Sequence, residues 1–237
     1  MTKVKIFLKK LFQQRNYCCV CCGREVFDEE DFCQHCLKSF PFNHKECCQI
    51  CGRQVKEEVE ICEECRQDRP LYTMAKSSFV YSDEIRKLLY RFKNGDRYLA
   101  DAFAPFADYF LASEIFDVDY LVYVPMYTKD ERRRGYNQAE YLAKAISARC
   151  NIPVASDKII KIRQTMTQKS LKKSGRMQNL KESFVIVEKE FFEGKRILLI
   201  DDILTTGATS ETITKVLKEG GCSKVYLYTI ASVPLQK

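Results

Sequence analysis

The sequence contains no apolar run long enough to cross a bilayer, so membrane insertion is not expected. A secretion signal is also lacking. Residues 4–12 are apolar in places, but Lys5, Lys9 and Lys10 interrupt them and no small-residue cleavage site follows. A short amphipathic lead-in helix is the expectation there. Histidine is scarce, with only His35 and His44 in 237 residues. Cysteine is scarce over most of the chain, since only Cys150 and Cys222 occur beyond residue 65. The length suits one large domain or two modest ones, with ample material for a core. The 39 Lys and Arg against 32 Asp and Glu give a net charge of +7, which suits anionic partners without identifying one.

Eleven of the 13 cysteines crowd between Cys18 and Cys65. Without a secretion signal, clustered CxxC pairs mean metal ligation more often than disulfides. Cys19-x-x-Cys22 is followed after ten residues by Cys33-x-x-Cys36, and Cys48-x-x-Cys51 after ten by Cys62-x-x-Cys65. Each cysteine of the second set is its counterpart plus 29, and the flanks Gly23-Arg24 and Gly52-Arg53 repeat as well. This is an internal duplication of a four-cysteine unit. Four thiolates meet the tetrahedral demand of Zn²⁺ and leave no open position, so the sites are expected to be structural. The glycine after each knuckle permits the turn. Two zinc ions are expected, one per repeat, with an interleaved cross-brace as the alternative. The alignment leaves Cys18, Cys21 and Cys47 as spare thiols, and His35 and His44 read as loop residues. A redox role is the weaker reading, because redox CxxC motifs rarely come as four evenly repeated pairs.

The sequence therefore divides into a Cys-rich double zinc-binding module over 1–70 and a second domain over 71–237. In that domain, residues 79–81 suggest a short strand, 84–93 an amphipathic helix, and 99–112 a second helix that Pro105 starts, bends or splits. Residues 120–124 read as a buried strand closed by Pro125. Arg132-Arg133-Arg134-Gly135 follows, then a helix over 139–148. The three arginines read equally as an anion site at a strand end or as a solvated charge run. The basic stretch 163–179 lies between strand candidates 158–162 and 184–187, and reads as a cationic flap or as an exposed connection. A last strand covers 224–231. Strands alternating with helices imply an α/β fold with a mostly parallel sheet.

The richest stretch is 195–209. Ile197, Leu198, Leu199 and Ile200 read as a strand buried on both faces. Asp201 and Asp202 stand where it emerges, Thr205-Thr206-Gly207-Ala208-Thr209 forms a loop, and a helix over 211–219 ends at Gly220-Gly221. Backbone N–H groups at a helix N-terminus favour an anion, and the hydroxyls of Thr205, Thr206 and Thr209 can add to them. Carboxylates repel phosphate, so the acidic pair needs sugar hydroxyls or a divalent cation. The motif closely resembles the phosphoribosyl pyrophosphate (PRPP) signature of type I phosphoribosyltransferases.

The whole chain resembles the ComF family, ComFC and its relatives. The paired knuckles, Arg91-Phe92-Lys93 with Gly95-Asp96, residues 132–138 and the PRPP loop carry the likeness, with Arg163, Thr165, Gln168, Leu171, Arg176 and Asn179 as a looser part. It implies a type I phosphoribosyltransferase-like sheet with an N-terminal zinc module. It implies a cytoplasmic protein linked to natural transformation, near single-stranded DNA and a helicase-like competence partner. On the PRPP reading, Mg²⁺ accompanies PRPP, Asp201 and Asp202 hold the ribose hydroxyls and residues 205–209 seat the 5′-phosphate. Lys93, Arg133 and Arg134, with Lys169 and Arg176, are the candidates to neutralise pyrophosphate. No residue stands out as a base for the acceptor. Two readings follow: a PRPP-dependent pentosyltransferase, or a non-catalytic DNA-binding or adapter protein that keeps the pocket.

Overall fold

The structure, a computed structural model, describes residues 18–26, 30–44, 46–55, 59–112, 117–164 and 183–235. It divides into two compact units, Met1–Phe40 and Pro41–Lys237. Packing thus breaks at residue 40, between the two repeats, whereas composition changes near residue 70, where the cysteines end.

The repeat is visible in backbone hydrogen bonds. Cys19 N–H donates to Arg24 C=O at 2.7 Å and Cys48 N–H to Arg53 C=O at 3.0 Å. Val20 N–H donates to Asp31 C=O, and Gln49 N–H to Glu60 C=O, both at 2.8 Å. Gly23 (φ 75°) and Gly52 (φ 65°) close the two knuckles in left-handed backbone. A short helix follows the third cysteine of each unit: α1 (Gln34–Ser39) after Cys33 and α2 (Glu63–Gln67) after Cys62.

The larger unit is built on four parallel strands in the order β1 (Met74–Val80), β6 (Lys224–Ser232), β5 (Arg196–Leu204), β2 (Tyr120–Tyr123). Between β1 and β2 run α3 (Asp83–Lys93), α4 (Leu99–Phe103) and α5 (Pro105–Leu111). Pro105 sits at the first position of α5, where its missing N–H costs nothing, so it splits the helical stretch rather than bending it. After β2 come α6 (Thr128–Arg134) and α7 (Gln138–Cys150). A two-stranded antiparallel hairpin follows, β3 (Ile159–Lys161) with β4 (Phe184–Ile186). After β5 the chain forms α8 (Ala208–Glu219) and returns as β6. This is the expected parallel sheet flanked by helices. Among the described residues, no helix is long and apolar enough to cross a membrane.

Several boundaries differ from the sequence expectation. Strand β1 begins at Met74, not at residue 79, because β6 pairs with it from Tyr226 onward. Strand β5 continues past Ile200 through the acidic pair to Leu204, because β6 keeps pairing with it as far as Asp201 to Thr229 and Leu204 to Ser232. Charge does not end a strand whose neighbour still offers a full backbone ladder. Helix α8 begins at Ala208, not at residue 211, so Thr209 lies in its first turn. Gly207, at φ 76°, turns the chain directly into the helix.

Candidate functional site

Each repeat gathers its own four thiols. The Sγ atoms of Cys19, Cys22, Cys33 and Cys36 lie within 4.8 Å of one another, as do those of Cys48, Cys51, Cys62 and Cys65. Tetrahedral zinc with Zn–S bonds of about 2.3 Å places sulfurs about 3.8 Å apart. Cys22 and Cys33 are 3.7 Å apart and Cys51 and Cys62 are 3.8 Å apart, so the donor sets fit structural zinc. The arrangement is one site per repeat, which excludes the interleaved brace. Cys18, Cys21 and Cys47 fall outside both clusters, as do His35 and His44. The Cys51 thiol, with N–H groups of Cys62, Cys51 and Ile50, holds Cys48 down to about 4 despite burial, which favours the thiolate a metal needs.

The second constellation lies at the carboxyl end of β5, the edge where open α/β sheets bind ligands. Because the acidic pair is inside the strand, pairing of β5 with β6 fixes both residues at the ligand end of the sheet. Asp202 is buried, and its Oδ2 lies 2.7 Å from Lys93 Nζ at the end of α3. That contact is an ion pair without hydrogen-bond alignment, and Oδ2 has no other partner among the described residues. Asp201 accepts from Asp202 N–H at 2.8 Å. Burial, and then the neighbouring charge of Asp202, push its carboxyl well above the usual range. Two crowded carboxyls, one with an unaligned buried oxygen and one resisting ionisation, form a donor set that suits a divalent cation or sugar hydroxyls. The loop beyond them ends at Gly207, the N-cap of α8, which has no side chain to offer. The Thr206 hydroxyl accepts from Ala208 N–H at 3.5 Å. Glu211 in the first turn faces away, accepting from Leu71 N–H at 3.0 Å.

The two polar motifs between residues 91 and 138 meet. The Tyr136 hydroxyl donates to Phe92 C=O and accepts from Gly95 N–H at 3.2 Å. Asn137 caps α7 by accepting from Ala139 N–H and donates to Val124 C=O, each at 3.0 Å. These bonds fix the end of α3, and with it Lys93, beside β5. Arg134 donates to Gln138 Oε1 at 2.6 Å. Arg133 is exposed and pairs with Asp130 at 2.9 Å, as a residue on the solvent face of α6 does. Lys169 and Arg176 lie outside the described residues, as do most of the basic stretch and the lead-in segment.

Two residues near the site were not singled out from sequence. Burial pulls the Lys161 amine below its ordinary value, opposed by the carboxylates of Asp130 and Asp201, so β3 brings a lysine to the Asp201 side. The available signal was a lysine inside an otherwise apolar strand. Arg53 donates to Thr205 C=O at 3.3 Å, yet its counterpart Arg24 is exposed. No sequence pattern separates the two arginines.

Residues 133–237 match the Phosphoribosyl transferase domain family, and residues 7–66 match the Double zinc ribbon domain family. The chain is 36% identical over 112 residues to competence protein F of Haemophilus influenzae, covering 47% of this chain and 49% of that one. It is 30% identical over 112 residues to the DNA utilization protein YhgH of Escherichia coli (strain K12), covering 47% and 48%. It is 31% identical over 159 residues to competence protein ComFC of Bacillus subtilis (strain 168), covering 65% and 62%. The chain thus spans about half the length of the first two relatives and less than two-thirds of the third.

Proposed function

We propose that this chain, which belongs to the ComF family, binds PRPP with Mg²⁺ at the carboxyl end of β5 and transfers its phosphoribosyl group. One observation carries the reading: the crowded Asp201–Asp202 pair runs directly into a helix N-terminus opened by left-handed Gly207. A phosphate site alone has no use for two carboxylates. A ligand with a phosphate at one end and vicinal hydroxyls at the other uses both parts.

Residues 205–209 take the 5′-phosphate through N–H groups and hydroxyls. Asp201 and Asp202 orient the ribose 2′- and 3′-hydroxyls and hold the cation. Mg²⁺, when bound, supplies charge to the pyrophosphate. The bond from ribose C1′ to pyrophosphate oxygen breaks, and pyrophosphate leaves with the electron pair. An acceptor lone pair forms the new bond, and the acceptor gives up its proton to solvent or to the departing group. Positive charge grows on the ribose as the bond breaks, and the two carboxylates stabilise it. Lys93 pairs with Asp202 at 2.7 Å and holds that carboxylate in place for the step. Arg133, Arg134, Lys169 and Arg176 attract the pyrophosphate. Action beside single-stranded DNA in the cytoplasm, with a helicase-like competence partner, belongs to the same proposal.

The second reading is a non-catalytic sensor or adapter. The pairing of Lys93 with Asp202 favours it, since that cation is already engaged. Calorimetry with PRPP and ribose 5-phosphate, followed by an isotopic pyrophosphate-release assay with and without single-stranded DNA, tests both. Binding with release supports the enzyme. Binding without release from any acceptor leaves the adapter, and no binding of either ligand ends both.

A further inference from the structure

We propose that the second four-cysteine site positions the phosphate loop through Arg53. This rests on the reading of residues 205–209 as a 5′-phosphate cradle.

Arg53 directly follows the Cys48–Cys51 knuckle, and its side chain is only 11% exposed. One end of its guanidinium reaches Glu64 Oε2 at 2.5 Å, and the other donates to Thr205 C=O at 3.3 Å. Glu64 lies on α2 between Cys62 and Cys65. Arg53 and Glu64 therefore ride on the two halves of one metal site, and closing that site brings them together.

The bond to Thr205 has a directional consequence. In a trans peptide the C=O of one residue and the N–H of the next point in opposite directions. Holding Thr205 C=O toward the ribbon turns Thr206 N–H away from it. A second tether acts on the helix behind the loop, where Glu211 accepts from Leu71 N–H at 3.0 and 3.2 Å. Between the tethers, Cys51, Cys65 and Tyr72 face Thr206, Gly207 and Ala208 across a narrow cleft. The ribbon itself is fixed to the sheet: Ala75 N–H donates to Ile50 C=O at 2.7 Å, and the Asn43 amide donates to Gly52 C=O at 2.7 Å. Force on the loop is thus resisted by β1. A planar five-donor fork is needed to serve Glu64 and Thr205 at once, which a lysine ammonium on a flexible stem cannot do.

The test measures ribose 5-phosphate and Mg²⁺–pyrophosphate binding by calorimetry on the full chain, with zinc quantified by elemental analysis. Arg53→Ala and Arg53→Lys are expected to weaken ribose 5-phosphate about tenfold, the scale of one charge-assisted hydrogen bond. Pyrophosphate, which does not use the loop, should stay within about twofold of wild type. Arg24→Ala, the matching change in the first repeat, should leave both unchanged. Equal losses for both ligands indicate a general structural effect and overturn the proposal, as does unchanged ribose 5-phosphate binding in both Arg53 variants. If wild type itself binds neither ribose 5-phosphate nor PRPP, the cradle reading fails first, and this result is distinct from a failure of Arg53.

Discussion

Replacing Gly52 by alanine, beside the same change at Gly23, measures how far the second ribbon has become part of the larger unit. Both glycines occupy the same place in the repeat, at φ 65° and 75°. A side chain in left-handed backbone costs about 1–2 kcal/mol, and this applies to both. A Cβ on Gly23 would meet no described atom within 4 Å. One on Gly52 would lie 2.3 Å from Ala75 O, a β1 backbone atom that cannot step aside. Overpacking of this kind adds about 1–3 kcal/mol, for a total of about 2–5 kcal/mol. At about 2–4 °C per kcal/mol for a unit of this size, the main melting transition should fall by roughly 4–20 °C. The chain has no tryptophan, so calorimetry and circular dichroism are the suitable readouts. Gly23→Ala should leave that transition unchanged. Equal shifts for the two variants, or a Gly52→Ala protein that melts with wild type, would refute the docking of the knuckle against β1.

Asp201→Asn should raise the melting temperature near neutral pH, because burial and Asp202 disfavour its charge. A carboxyl raised in the folded state loses its stabilising contribution as pH rises through its folded value, so the gain should fade on acidification; melting curves across pH check this. For the same reason PRPP–Mg²⁺ affinity should rise with pH, since the cation and the proton compete for Asp201, and a flat calorimetric pH profile would contradict it. Asp201→Asn with Asp202→Asn should weaken PRPP–Mg²⁺ binding and reduce pyrophosphate release further, because the carboxylates act most strongly on the charge developing in the transition state. Purified protein should carry two zinc ions, and Cys48→Ser should lower PRPP affinity more than Cys19→Ser; elemental analysis and calorimetry of both variants decide it.

The eight metal ligands were legible because a duplicated spacing is information carried along the chain, and the knuckles depend on neighbours only a few residues away. The apolar run 197–200 and the loop after it were legible for the same reason. Their local chemistry names both a buried strand and an anion-binding turn. The end of β5 was not legible, since its length is set by how far β6 pairs beside it. Nor was the division of the acidic pair. In sequence Asp201 and Asp202 are equivalent neighbours. In the fold Asp202 is buried and pairs with Lys93 from α3, whereas burial and the charge of Asp202 push the Asp201 carboxyl up, beside Lys161 of β3.

The sequence by itself determined the elements, the two thiolate sets and the residues of the loop, all properties of spacing and local composition. Tertiary structure alone decided the contact between the second ribbon and the loop. Arg53 reaches Thr205, 152 positions away in the chain. That contact arises where the second ribbon packs on β1, a meeting of distant segments that no periodicity in either one encodes.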